Sequence, residues 1–186
     1  LNDGYYSNSY SWLSGSTAYT IDGSNTVSLV AGGNLGETTH TSFATPLAQN
    51  NSYVYNVIYT HTSGPWTVTP YLQYTYVPEN AGIGIAATAS TFGAAVLTKY
   101  SFDSNFSLTG RAEYIGSTGN TTNLMYGPGS KAWSLTATPT YQYGRYFGRV
   151  DASYVHASGT TAGSALGPAG NDTSQARLVL ETGVLF

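Results

Sequence analysis

From Gln175 to Phe186 the chain alternates with a period of two. Ala176, Leu178, Leu180, Thr182, Val184 and Phe186 fall on one face of a strand, and Gln175, Arg177, Val179, Glu181, Gly183 and Leu185 on the other. A soluble strand would hide its apolar face in a core. Here that face runs to the last residue, while the opposite face carries Arg177 and Glu181 four positions apart. The pattern suits a strand with lipid on one side and water on the other.

The alternation recurs. Trp66, Val68, Pro70, Leu72, Tyr74 and Tyr76 share one face, against Thr67, Thr69, Tyr71, Gln73 and Thr75. Trp133, Leu135, Ala137, Pro139, Tyr141 and Tyr143 repeat the arrangement, against Ser134, Thr136, Thr138, Thr140 and Gln142. Phe92 to Phe102 and Phe106 to Tyr114 follow the same rule. In all, about nine such segments are expected, with almost no helical periodicity. Their connections alternate in length. Asp22 to Asn25, Ser63 to Pro65, Asp103 to Asn105 and Gly144 with Arg145 are tight-turn sequences. Thr38 to Ser52, Pro78 to Ser90, Thr118 to Lys131 and Gly159 to Thr173 are long polar connections. Outer-membrane barrels alternate short periplasmic turns with long external loops, whereas a soluble sandwich has no reason to do so.

Composition removes the competing classes. Charged residues are only 8% of the chain, against roughly 25% in soluble domains. Hydrophobic residues reach only 41%, and no window approaches the length of an apolar membrane helix. The expected fold is therefore all-β, an antiparallel transmembrane β-barrel. The net charge of -3 speaks against nucleic acid as a partner. The chain has no cysteine, which removes disulfides and thiolate chemistry. No His or Cys cluster has metal-ligand spacing, so neither a metal nor another cofactor is expected.

The aromatic residues Trp66, Tyr74, Tyr76, Tyr100, Phe102, Trp133, Tyr141 and Tyr143 sit towards the ends of the apolar faces. Girdles at a membrane interface require this placement, because Trp and Tyr join an apolar body to a polar tip. The opposite faces hold four of the six Lys and Arg residues, Lys99, Arg111, Arg149 and Arg177, with the acids Glu113, Asp151 and Glu181. Each acid lies two or four residues from an arginine on the same side of its strand. Two readings follow, a pore wall with a transverse field and a set of neutralising pairs that brace a partly filled barrel. Four cations against three carboxylates suggest a slight preference for anions. Pro70 and Pro139 lie inside otherwise regular strands, and a bulge at each is expected to absorb the missing donor.

Catalysis finds little support. His40, His61 and His156 are far apart in the chain, and His156 with Ser158 has no adjoining carboxylate to orient it. An interfacial histidine is the simpler account, and the chain is not expected to be an enzyme.

Several ordered segments resemble one known family. They are Thr62-Ser-Gly-Pro-Trp-Thr-Val-Thr-Pro-Tyr-Leu-Gln-Tyr-Thr-Tyr76, Ser90-Thr-Phe-Gly-Ala-Ala95, Gly110-Arg-Ala-Glu-Tyr114, Leu124-Met-Tyr-Gly-Pro-Gly-Ser-Lys-Ala-Trp-Ser-Leu135 and Thr173-Ser-Gln-Ala-Arg-Leu-Val-Leu-Glu-Thr-Gly-Val-Leu-Phe186. All are similar to parts of the OmpL-like β-barrel porins of Gram-negative bacteria. The resemblance implies an outer-membrane pore for passive diffusion of small hydrophilic solutes and ions. Its partners would be outer-membrane lipid, the diffusing solutes, the barrel-assembly machinery and, in some assemblies, further copies or subunits. Phe186 resembles the C-terminal signal that the machinery reads. The alternative is a non-conducting outer-membrane barrel that serves as an anchor, adhesin or sheath.

Such porins are longer, and residues 1–186 resemble their C-terminal part. Parity points the same way: a barrel has an even strand number, so nine strands ending in the periplasm begin outside. The expectation is part of a larger barrel of about 16 strands, with residues 1–8 as an extracellular loop remnant.

Overall fold

Four tight hairpins and four long connections organise the chain into one sheet. The computed structural model describes residues 12–41, 46–122 and 124–185. It contains β1 (Trp12–Thr20), β2 (Asn25–Asn34), β3 (Tyr53–Ser63), β4 (Trp66–Val77) and β5 (Ala89–Ser101). β6 (Phe106–Ser117), β7 (Lys131–Tyr143), β8 (Tyr146–Ser158) and β9 (Ser174–Val184) complete it. Each strand pairs antiparallel with its sequence neighbour, giving a nine-stranded sheet in chain order. Among the described residues β1 pairs only with β2, and β9 only with β8. Leu1 to Asn8 and Phe186 lie outside the described residues.

The turns form where their side chains replace backbone partners. Asp22 accepts from the Ser24 amide at 2.8 Å and from the Asn25 side chain at 2.8 Å. Asp103 does the same for the Asn105 and Phe106 amides, at 2.7 and 2.8 Å. Gly64 and Gly144 take φ of 56° and 58°, the left-handed conformation that a tight hairpin requires.

The prolines differ from expectation. Ile58 pairs with Tyr71 and His61 with Val68, so two residues face two across the Pro70 position. Ala137 pairs with Ala152 and Thr140 with Arg149, again two against two across Pro139. No bulge is inserted. Each proline turns its missing donor towards the one neighbour where pairing lapses, and it pairs in register with Val96 or Leu108 on the other side. Losing one ladder bond disturbs the sheet less than shifting every later side chain to the wrong face.

No core lies between two layers. The few buried apolar residues in the main cluster, Val77, Ile85 and Ala89, pack with Leu47, Ala48, Ile83 and Leu124 from the long connections. A short helix, α1 (Leu47–Asn50), and a 3-10 turn at Ala81–Ile83 stand in that cluster. Asn51 ties the first long connection, accepting from the Asn34 side chain and the Thr38 amide at 3.0 Å each. That tie ends β2 at Asn34, short of the Glu37 that alternation alone allows. Meanwhile Leu72 is 49% exposed, Leu135 54% and Leu180 73%. Rows of bare leucine across a whole sheet face are untenable in water and ordinary in lipid.

Candidate functional site

The sheet has two chemically distinct faces. On the aromatic face, Trp66 and Tyr76 close the two ends of β4, and Trp133 and Tyr143 those of β7. Ten residues at about 3.4 Å each span about 34 Å along a strand. A tilt of about 40° reduces this to about 25 Å, the height of the apolar band of an outer-membrane barrel. At one end the rings form a chain: Trp66 to Tyr100 at 4.7 Å, Tyr100 to Phe102 at 4.8 Å and Phe102 to Phe106 at 5.1 Å. Tyr141 and Tyr143 stand beside this end and are well exposed. At the other end Trp133 meets Tyr154 at 5.5 Å and His156 at 5.9 Å, with Tyr74 and Tyr76 at the same end of β4. The histidine thus sits in a ring cluster.

Apart from Lys131, which opens β7 on the aromatic face, the charges on the strands lie on the hydroxyl-rich face, on β5, β6, β8 and β9. Glu113 is a hub. Tyr71 donates to its Oε1 at 3.0 Å, Ser134 donates to its Oε2 at 2.6 Å, and Arg111 Nε lies 3.4 Å from Oε2. Arg111 Nη2 also donates to Thr136 at 3.4 Å. Below it, Arg149 grips Glu181 through Nη2 at 2.6 Å and Nε at 2.8 Å. Thr138 donates to Asp151 at 3.1 Å. Lys99 stands opposite Thr67 and Thr109, and Arg177 opposite Ser153. Neither cation is in an ion pair with a described residue.

The same-strand pairing expected from sequence holds only for Arg111 with Glu113. Arg149 takes Glu181 across the strands and leaves Asp151, two positions away, to Thr138. Arg177 does not reach Glu181. Same-face residues of one strand are about 6.8 Å apart, whereas directly opposed residues of neighbours are about 5 Å apart. Cross-strand register therefore chooses the partner. On β3 and β4 the face is uncharged and shares hydroxyls, as between Thr60 and Thr69 at 3.2 Å.

The long connections lean over this face. Tyr126 joins Tyr71, Gln73, Ile115, Glu113 and Ser134 around a cleft of about 310 Å³. A second hollow of about 540 Å³ lies between Gln49, Leu124 and Met125 of the connections and Val54, Thr75 and Thr91 of the sheet. Nothing in the alternation signals Tyr126, because its position comes from loop packing. The only hint is the following Gly127-Pro-Gly129, a turn sequence that can fold a segment back sharply.

One sheet whose faces are an aromatic-bracketed apolar band and a hydroxyl wall is the layer of a membrane barrel. Residues 1–186 match the family model described as "Putative beta-barrel porin-2, OmpL-like". The chain belongs to this family. No curated protein matches it. Porins as a class are outer-membrane barrels, and the nine-stranded antiparallel sheet is the porin-like architecture that membership requires. The two faces can now be compared with what such a barrel needs. Among the described residues no three His, Cys, Asp or Glu side chains converge to hold a metal. His61 bonds Asn25 at 2.8 Å at a hairpin end, which accounts for it as a brace.

Proposed function

We propose that this chain forms part of the wall of a water-filled channel in the bacterial outer membrane, through which small hydrophilic solutes and ions diffuse. One observation carries the reading. The charged, hydroxyl-rich face lies directly behind an apolar face bracketed by aromatics, with a single strand layer between them. On this reading Lys99, Arg111, Glu113, Arg149, Asp151, Arg177 and Glu181 line the water and the aromatic girdles meet outer-membrane lipid. Phe186 serves as the assembly signal. The sheet completes a larger barrel by pairing its two open edges with strands beyond the described residues. β1 and β9 run in the same direction, so an odd number of strands between them keeps every pair antiparallel and the total even.

Single-channel recording from the intact protein in a planar bilayer tests the reading. Stepwise conductance is expected, and no current above background would sink it. The alternative, a non-conducting barrel that anchors or sheathes a partner, draws on the long connections that lean over the polar face. It predicts a silent bilayer with a correctly inserted protein.

A further inference from the structure

The cleft roofed by Tyr126 has a composition that selects a ligand class. We propose that it is a binding subsite for one neutral sugar ring, a claim that rests on the hydroxyl-rich face being the water-facing one. Its volume of about 310 Å³ is at the small end of ligand pockets, enough for a single ring. The hollow exists because β5 presents Gly93 and Ala95 between the larger side chains of β4 and β6.

Charge argues for a neutral occupant. Glu113 is compensated by Arg111, and both its oxygens already accept hydrogen bonds. An anion would meet Glu113 in the cleft wall, and a cation would find that carboxylate already paired with Arg111. What remains open is neutral. The Tyr71 and Ser134 hydroxyls, having donated to Glu113, keep lone pairs that accept from a ligand hydroxyl. The Gln73 amide can both donate and accept, and it bonds no described residue. Beside these polar groups lie Ala95, Val155 and the ring of Tyr126. Hydroxyl partners beside an apolar, partly aromatic surface match a sugar ring, whose C–H face is apolar and whose rim is hydroxylated.

The roof is already in place. The Tyr126 carbonyl accepts from the Thr161 amide at 2.9 Å, which links two long connections. Gly127 takes a φ of 119° with Thr161 pressed against it, so a side chain there would collide with that threonine. The Gly127 carbonyl accepts from the Ser130 amide at 3.1 Å. A preformed cleft loses less ordering entropy on binding than a mobile loop would.

Calorimetric titration of the intact protein in detergent micelles provides the test, with glucose, glucuronate and glucosamine as probes. Glucose is expected to bind saturably, and the two charged rings more weakly. Tyr126→Ala should weaken glucose binding roughly five- to tenfold through loss of ring contact, and Tyr126→Phe should retain most of it. Ala95→Phe, which fills the floor, should abolish binding. If that variant fails to fold, the two Tyr126 variants still decide. Glucose binding that does not saturate, that ignores Tyr126→Ala, or that is weaker than for either charged ring would overturn the proposal. Binding in micelles needs no conduction, so the two readings fail separately. A protein that binds glucose and passes no current overturns the channel alone, and one that conducts without saturable binding overturns the subsite alone.

Discussion

Arg149 illustrates what decides a contact at the level of single residues. Its carboxylate two positions along the strand, Asp151, is passed over for Glu181 on the next strand, because cross-strand neighbours are the nearer ones. Both members of that pair are nearly half exposed, so it adds little to stability, at most about 1 kcal/mol. Its larger effect is on the field along the wall. Replacing Arg111, Arg149 and Arg177 together with Ser leaves Lys99 alone against three carboxylates. The reversal potential in a salt gradient should then shift towards cation selectivity. An unchanged potential would place those side chains outside the ion path. The residue types and their face were legible in the sequence, since both follow from a period of two. The partners were not, since register between strands is a property of the folded sheet.

Strands and turns answer to different constraints. In the turns, Asp22 and Asp103 have carboxyls held below the usual carboxylate range, chiefly by the backbone amides of Ser24 and of Asn105, respectively. A depressed folded value means that their contribution is complete above the unfolded pKa of about 3.9 and is lost as pH falls through the lower folded value. Urea unfolding in micelles should therefore show hairpins weakening only below about pH 4. Asp103→Asn, which keeps an acceptor but cannot ionise, should flatten that acid limb; a limb as steep as before would assign it to other groups. In the strands, Pro70 and Pro139 each forfeit one ladder bond without shifting the register. Pro70→Val restores a donor worth about 1 kcal/mol, offset by roughly 0.4–1 kcal/mol of added freedom in the unfolded chain. The unfolding midpoint should accordingly move up by less than about 1 kcal/mol. A clear loss of stability would mean that the backbone at Pro70 is not an ordinary strand after all. Alternation located both strands correctly, and it could not say which neighbour a proline's nitrogen faces.

For the whole molecule the question is how a sheet whose two edge strands each have one partner among the described residues persists. β9 is exposed along nearly its whole length on both faces, and every second amide of β1 and β9 points away from its one partner. In a bilayer such groups have no water to bond, and each costs several kcal/mol. A membrane sheet therefore closes, and the strand directions fix how: β1 and β9 are parallel, so direct contact between them would introduce the one parallel ladder in an otherwise antiparallel sheet. The concentration of charge on β5 to β9, with the same face uncharged on β3 and β4, gives that closed wall two unlike sides. Closure has a direct signature. In the intact protein in micelles, the outward amides of β1 and β9 should exchange with deuterium as slowly as those of β5, which is paired on both sides. If they exchange at the rate of open amides while β5 stays protected, the edges are free and the completed barrel is wrong. Slow exchange at β9 with fast exchange at β1 would be equally damaging, because a ring of strands cannot be closed at one edge only.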